Sequence, residues 1–199
     1  MSDISFELQD QLSPALRAGH LATCERVVSA RLAALPRSPF HTILKLAISN
    51  SPADVAEFFD DFFRQQPRDK IKAAYTEMNG FDINTDLWFC NPFAYQRYGG
   101  HDDYDWLSNW QSEDYSILPI TGLEPLQKVY ASDAFRDERF NDACSVTSLF
   151  VVILFQDLIR RAAPRMQELR FPLLATAHDY DFIYEFRPDG KPNDTGESL

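Results

Sequence analysis

Residues Val146 to Leu158 would be apolar on nearly every side of a helix, and this constrains the fold more than any other feature of the chain. A helix that is hydrophobic all round has no face to offer water, so other elements must surround it. Its most apolar stretch, Leu149 to Phe155, is seven residues long. A membrane span needs roughly 20 such residues, so the segment belongs in a protein core and no membrane partner is expected. The spacing predicts a single long helix over 133–163 with 146–158 as its buried centre. The β-branched residues Val151, Val152 and Ile153 leave a strand as the alternative for that centre.

The first third of the chain supplies helical cover. Ser-Pro occurs at Ser13-Pro14, Ser38-Pro39 and Ser51-Pro52. Serine is a good N-cap, and proline suits the first helical position because its missing N–H would be unpaired there anyway. The helix from Pro52 places Val55, Phe58, Phe59, Phe62 and Phe63 on one face, with Asp60, Asp61 and Arg64 turned away, and Pro67 stops it. A helix from His20 to Leu35 precedes it, and Phe40 to Ile48 forms another.

From about Ile71 the period changes. Phe81, Ile83, Thr85, Leu87 and Phe89 alternate with Asp82, Asn84, Asp86 and Trp88, which predicts a strand after the Asn79-Gly80 turn. Thr121-Gly122-Leu123-Glu124 reads as a capping box that opens a short helix to about Ala131. Leu173 to Arg187 reads as a second, uninterrupted strand. Together these predict an α+β protein: a helical N-terminal layer packed with a small, mainly antiparallel sheet and a long buried helix. The expected organisation is one domain over 1–190, with a helical layer at about 5–67, a mixed part at about 70–188 and a flexible tail at 190–199.

Charge is unevenly placed. Residues 71–121 carry eight acidic and two basic side chains, and 172–199 carry six and two, while the whole chain sums to −11. All three Trp and five of the eight Tyr also fall within 71–121. A polyanionic nucleic acid would be repelled by such a protein. Aromatic side chains ringed by carboxylates suit a basic protein partner, since Tyr and Trp dominate interface hot spots and carboxylates steer a cation towards them. The partner-binding candidates are Tyr98, Asp102, Asp103, Tyr104, Asp105, Trp106 and Trp110, in a long polar loop over 99–116. The same rings would also serve to stack a sugar or a small molecule, and the bland alternative makes two of the Trp core residues.

Catalytic signatures are absent: no Gly-x-Ser-x-Gly, P-loop, His-Glu-x-x-His or dinucleotide fingerprint occurs. Cys24, Cys90 and Cys144 lack metal-ligand spacing, which points to reduced thiols and a cytoplasmic setting, with no cofactor. Cys90 is the thiol expected to be accessible, and Cys144 the one expected to be buried. His101-Asp102-Asp103-Tyr104-Asp105 is echoed in His178-Asp179-Tyr180-Asp181. Convergence of the two would allow a metal-assisted hydrolase using His101, Asp103, His178 and Asp181. On a continuous strand, however, His178 shares the core-like face of Phe182 and Tyr184, while Asp179, Asp181 and Glu185 share a solvated one. Asp82-Ile83-Asn84-Thr85-Asp86 resembles the start of a calcium loop, but the turn glycine and bidentate glutamate are replaced by Leu87 and Phe93. The leading expectation is a non-enzymatic, acidic, inhibitor-like or toxin-neutralising (immunity-like) protein.

Overall fold

The computed structural model describes residues 3–81, 84–101 and 103–190. The helices are α1 (Asp3–Arg17), α2 (Leu21–Ala34), α3 (Pro52–Gln65), α4 (Glu124–Tyr130) and α5 (Asn141–Ala162). The strands are β1 (Ala73–Met78), β2 (Phe89–Tyr95), β3 (Leu118–Pro119), β4 (Leu173–Ala177) and β5 (Tyr184–Phe186). They form one sheet in the order β3-β2-β1-β4-β5. β1, β2 and β3 make an antiparallel meander; the chain then crosses over through α4 and α5 and returns as β4, parallel to β1. β5 folds back antiparallel on β4. The fold is therefore α+β with a mainly antiparallel sheet, a helical N-terminal layer and a long buried helix.

The apolar segment is helical throughout. From Val146 to Ile153 every residue of α5 is buried, and Phe155, Leu158 and Ile159 follow. Glu138–Arg165 is long and apolar enough to cross a membrane, yet 72% of its most apolar stretch is buried against the rest of the protein. The sheet makes room for this helix by using small residues. The face turned to the helices carries Ala74, Ala94, Ala175 and Ala177, all buried, which lets bulky α5 side chains approach the strands. Gln156, fully buried in that contact, donates from Nε2 to the carbonyls of Ala175 (3.1 Å) and Phe182 (2.6 Å). It ties the helix to β4 and to the segment between β4 and β5, where the Phe182 carbonyl also accepts from Thr176 Oγ1 at 3.0 Å.

The caps explain where several expectations hold and where they fail. Ser51 caps α3, accepting from Ala53 N at 3.2 Å. Ser13 does not start a helix: Pro14 lies inside α1, and Ser13 donates back to the Gln9 carbonyl at 2.7 Å. The apolar period of Leu8, Leu12 and Leu16, all buried, carries the helix through. Phe40 to Ile48 contains a 3-10 helix over Pro39–Lys45 rather than an α-helix. Two 3-10 turns, Asp133–Arg136 and Glu138–Phe140, precede α5, so the long helix begins at Asn141. Thr121 is not a capping-box partner; its N–H goes to Asn50 Oδ1 (2.8 Å), and the Glu124 carboxylate accepts from Gly122 N instead (2.9 and 3.0 Å).

Other corrections concern strands and buried acids. The expected strand at 81–89 is displaced: regular pairing starts at Phe89, while the missed strand β1 lies before the Asn79-Gly80 turn. Asp82 and Ile83 lie outside the described residues. So does 191–199, almost all of the expected tail. Asp60 is buried, not solvated, because its carboxylate accepts the backbone N–H groups of Gln167 and Glu168, both at 2.9 Å. That carboxylate ties α3 to the segment leading into β4. The thiols exchange places. Cys90 is fully buried on the helix face of β2, and Cys144 is half-buried.

Candidate binding site

The outer sheet face, away from the helices, is read directly from the strand register. Phe93, Tyr75, Leu174 and Glu185 lie abreast across β2, β1, β4 and β5. Tyr95 and Ala73 form the adjoining row. These residues seed a second, smaller hydrophobic cluster of Ala73, Tyr75, Tyr95, Leu174 and Ile183, roofed by Tyr98, Tyr104, Trp106 and Leu107. The acidic aromatic loop is thus the cover of the outer sheet face.

Trp106 is the centre of this cover. Its ring meets Tyr95 edge-on at 4.9 Å and Tyr98 at 5.7 Å, and its Nε1 donates to the Gly100 carbonyl at 3.2 Å. The indole passes so close to Gly99 that a Cβ there would overlap the ring, so a glycine is needed at that position. Tyr95 donates its hydroxyl to the Leu107 carbonyl (2.9 Å), and Asp103 Oδ1 accepts from Asp105 N (2.8 Å) to start the 3-10 turn Asp105–Ser108. Further along, Gln111 N reaches the Ala94 carbonyl at 3.0 Å, and Ser112 Oγ accepts from Ala94 N at 3.1 Å. The loop is irregular but fastened at both ends.

Beneath the cover lies a residue that the alternation pattern assigned to solvent. Glu185 has 0% side-chain exposure. Its Oε2 accepts from the Tyr98 hydroxyl at 2.9 Å and lies 2.5 Å from His101 Nε2; Arg187 Nε stands 3.5 Å from Oε1. On its other side His101 Nδ1 is 2.9 Å from the Tyr104 hydroxyl. Burial, reinforced by Glu185, pushes the Tyr98 phenol up. Burial does the same for Tyr104, with Arg17 opposing and Glu185 and Asp181 adding to it. Both phenols therefore keep their protons, and Tyr98 donates to Glu185. The His101 and Arg187 contacts to Glu185 sit at ion-pair distance without hydrogen-bond alignment. A buried carboxylate held this way is a fastening whose loss would strand its partners. Glu185 and Arg187, two apart on one strand face beside Ile183, were the signal in the sequence.

The uninterrupted strand at 173–187 is in fact two strands and a turn, and this relocates the histidine echo. His178 and Asp179 form the turn after β4, with Asp179 at φ +66. His178 is 51% exposed instead of core-facing, 3.6 Å from Glu77 and 3.7 Å from Asp179. Asp181 is exposed. The two histidines thus have different partners: Glu185 and Tyr104 for His101, Glu77 and Asp179 for His178. Among the described residues no group of three or more His, Cys, Asp or Glu side chains is placed to hold a metal ion. Asp102 lies outside the described residues.

Two of the Trp are not surface platforms. Trp88 is fully buried on the helix side, and Trp106 is half-buried under its own loop. Trp110 is different. It is 49% exposed and rests edge-on against Phe93 at 5.4 Å. A shallow cleft of about 280 Å³ runs beside it, lined by Phe93, Tyr115, Glu113 and Asp114. A second cleft of about 480 Å³ adjoins Trp106 and is lined by Arg97, Asp103, Asp105, Asn109 and Gln111. Asp103, Asp105, Glu113 and Asp114 are all exposed.

Comparison with known proteins adds no relative to this geometry: no family model, no characterised protein sequence and no solved structure matches the chain.

Proposed function

We propose that this protein is a non-enzymatic binding protein that captures a basic protein partner on the acidic aromatic cover of its sheet, in the manner of an inhibitor or toxin-neutralising protein. The observation that carries this reading is Trp110, a large ring left 49% exposed and set against Phe93 amid exposed carboxylates. A ring held by a neighbour loses little freedom on binding, and a pre-ordered surface avoids the ordering cost of a mobile loop. Asp103, Asp105, Glu113 and Asp114 would steer a cationic partner and make its capture salt-dependent. Tyr98, Tyr104 and Trp106 take the supporting role, holding the loop in shape from below. The partner's contact surface would be basic and would present an apolar recess for the indole.

The test is affinity capture from native extract at low and high salt, repeated with Trp110→Ala and with Asp103→Asn/Asp105→Asn. A discrete basic protein retained at low salt and lost from both variants is the expected result. Retention that is unchanged by salt and by both variants would remove this surface from consideration.

A further inference from the structure

A cavity of about 260 Å³ opens on the other side of the molecule, bordering the main core. Rings from four chain segments wall it: Phe81 after β1, Tyr130 at the end of α4, Phe135 in the following 3-10 turn, and Tyr180 between β4 and β5. They stand side by side, with centroid separations of 6.2 Å (Phe81 to Tyr180), 6.1 Å (Phe81 to Tyr130) and 5.6 Å (Tyr130 to Phe135). Two of the hydroxyls lining it, Tyr130 Oη and Ser148 Oγ, are 2.6 Å apart. Burial pushes the Tyr130 phenol well up, so it carries no negative charge of its own.

The mouth is acidic. Asp179 lines it from the β4–β5 turn, with its side chain 80% exposed. Among the described residues it is the one non-glycine residue with positive φ, at +66. Such a conformation is costly for a side chain, and Asn and Asp tolerate it best. His178 also lines the cavity beside it, 3.7 Å from Asp179 and 3.6 Å from Glu77.

We propose that this cavity binds a small organic cation, an alkylated ammonium, with its charge against the ring wall and the Asp179 carboxylate. Ring faces attract cations, and they do so most strongly where water is excluded. A net charge of −11 raises the local concentration of any small cation. An anionic ligand would meet Asp179 first and be repelled. The site is separate from the docking surface and does not depend on it.

Choline is the probe, titrated by calorimetry, with its uncharged analogue, in which carbon replaces the quaternary nitrogen, as the control. Saturable choline binding is expected, with the uncharged analogue weaker by about tenfold. Asp179→Asn keeps a residue that accepts positive φ, so the melting temperature should hold while choline affinity falls about fivefold. Phe135→Leu, at a half-buried ring, should weaken choline further with the fold intact. Trp110→Ala should leave choline binding unchanged, which separates this site from the docking surface. No choline binding at millimolar concentration, equal binding of the uncharged analogue, or an unaltered affinity in Asp179→Asn would each overturn the proposal.

Discussion

One sheet has two faces in this protein, and they are covered by different means. The inner face, toward α5, is covered by apolar packing: small alanines on the strands, bulky aliphatics on the helix, and a single glutamine bridging the two. The outer face is covered by a loop whose apolar contribution is a few rings and Leu107, and which is also held by the buried Glu185 with its tyrosine and histidine partners. The first cover is non-directional and tolerates exchange of similar volumes. The second depends on particular atoms meeting, so it fails abruptly when one is removed. A covering loop fixed by polar contacts can also leave its outer surface acidic, because its own folding does not need that surface to be apolar.

The comparison predicts different responses on the two faces. Phe155→Ala, inside α5, should cost about 4 kcal/mol of unfolding free energy, as an unfilled cavity in a packed core does; urea denaturation measures it. A loss below about 1 kcal/mol would mean that the inner face is loosely packed. Glu185→Ala should cost about 3 kcal/mol, because Tyr98, His101 and Arg187 would be left around an empty buried position. Its distinguishing sign is local: amide exchange should rise across 98–108 while β1 and β4 stay protected. Uniform exchange throughout the sheet would contradict a loop-specific fastening.

Trp110→Ala should weaken partner binding by about 2 kcal/mol and change stability by less than about 1 kcal/mol, since the ring is half in water. A large stability loss would reclassify Trp110 as part of the cover. The smallest effect is alkaline and belongs to the inner face. Burial pushes the Cys90 thiol from its ordinary 9.0 up to about 12, against a lowering contact from Thr76. A raised folded-state value means that its contribution is whole below pH 9 and is lost as pH climbs towards 12. Between pH 8 and pH 10 the loss from Cys90 should be about 1–2 kcal/mol. Cys90→Ser should blunt that slope, and an equal slope in the variant would assign it to the buried tyrosines, such as Tyr184, pushed up to about 12 by burial. Half-buried Cys144 should react with a thiol reagent while Cys90 stays protected.

Much of the fold was legible in the chain because its signals are local and periodic. The all-round apolar centre of α5 admitted only a buried position, and Ser51-Pro52 with Pro67 marked both ends of α3 almost to the residue. The misplaced elements lacked such signals. β1 is short and buried on both faces, so it shows no alternation. The 173–187 segment alternates well enough to read as one strand, although His178 and Asp179 turn the chain within it.

The candidate surface divides the same way. Composition alone located an acidic aromatic stretch at 71–121, since charge and ring content are additive along a sequence. It could not decide which ring faces water, because exposure depends on what packs above and below. Trp88, Trp106 and Trp110 are chemically identical, yet the inner core, the outer cover and the solvent each take one of them. Glu185 and His101 stand far apart in the chain, and only the register of β5 on β4, with the loop folded over both, brings carboxylate and imidazole together. What the sequence determined by itself was the buried helix, the α+β class and the place of the acidic rings. Which acid is buried and which tryptophan stays exposed was decided by the tertiary structure, because burial and pairing are properties of neighbours that the chain meets only once it has folded.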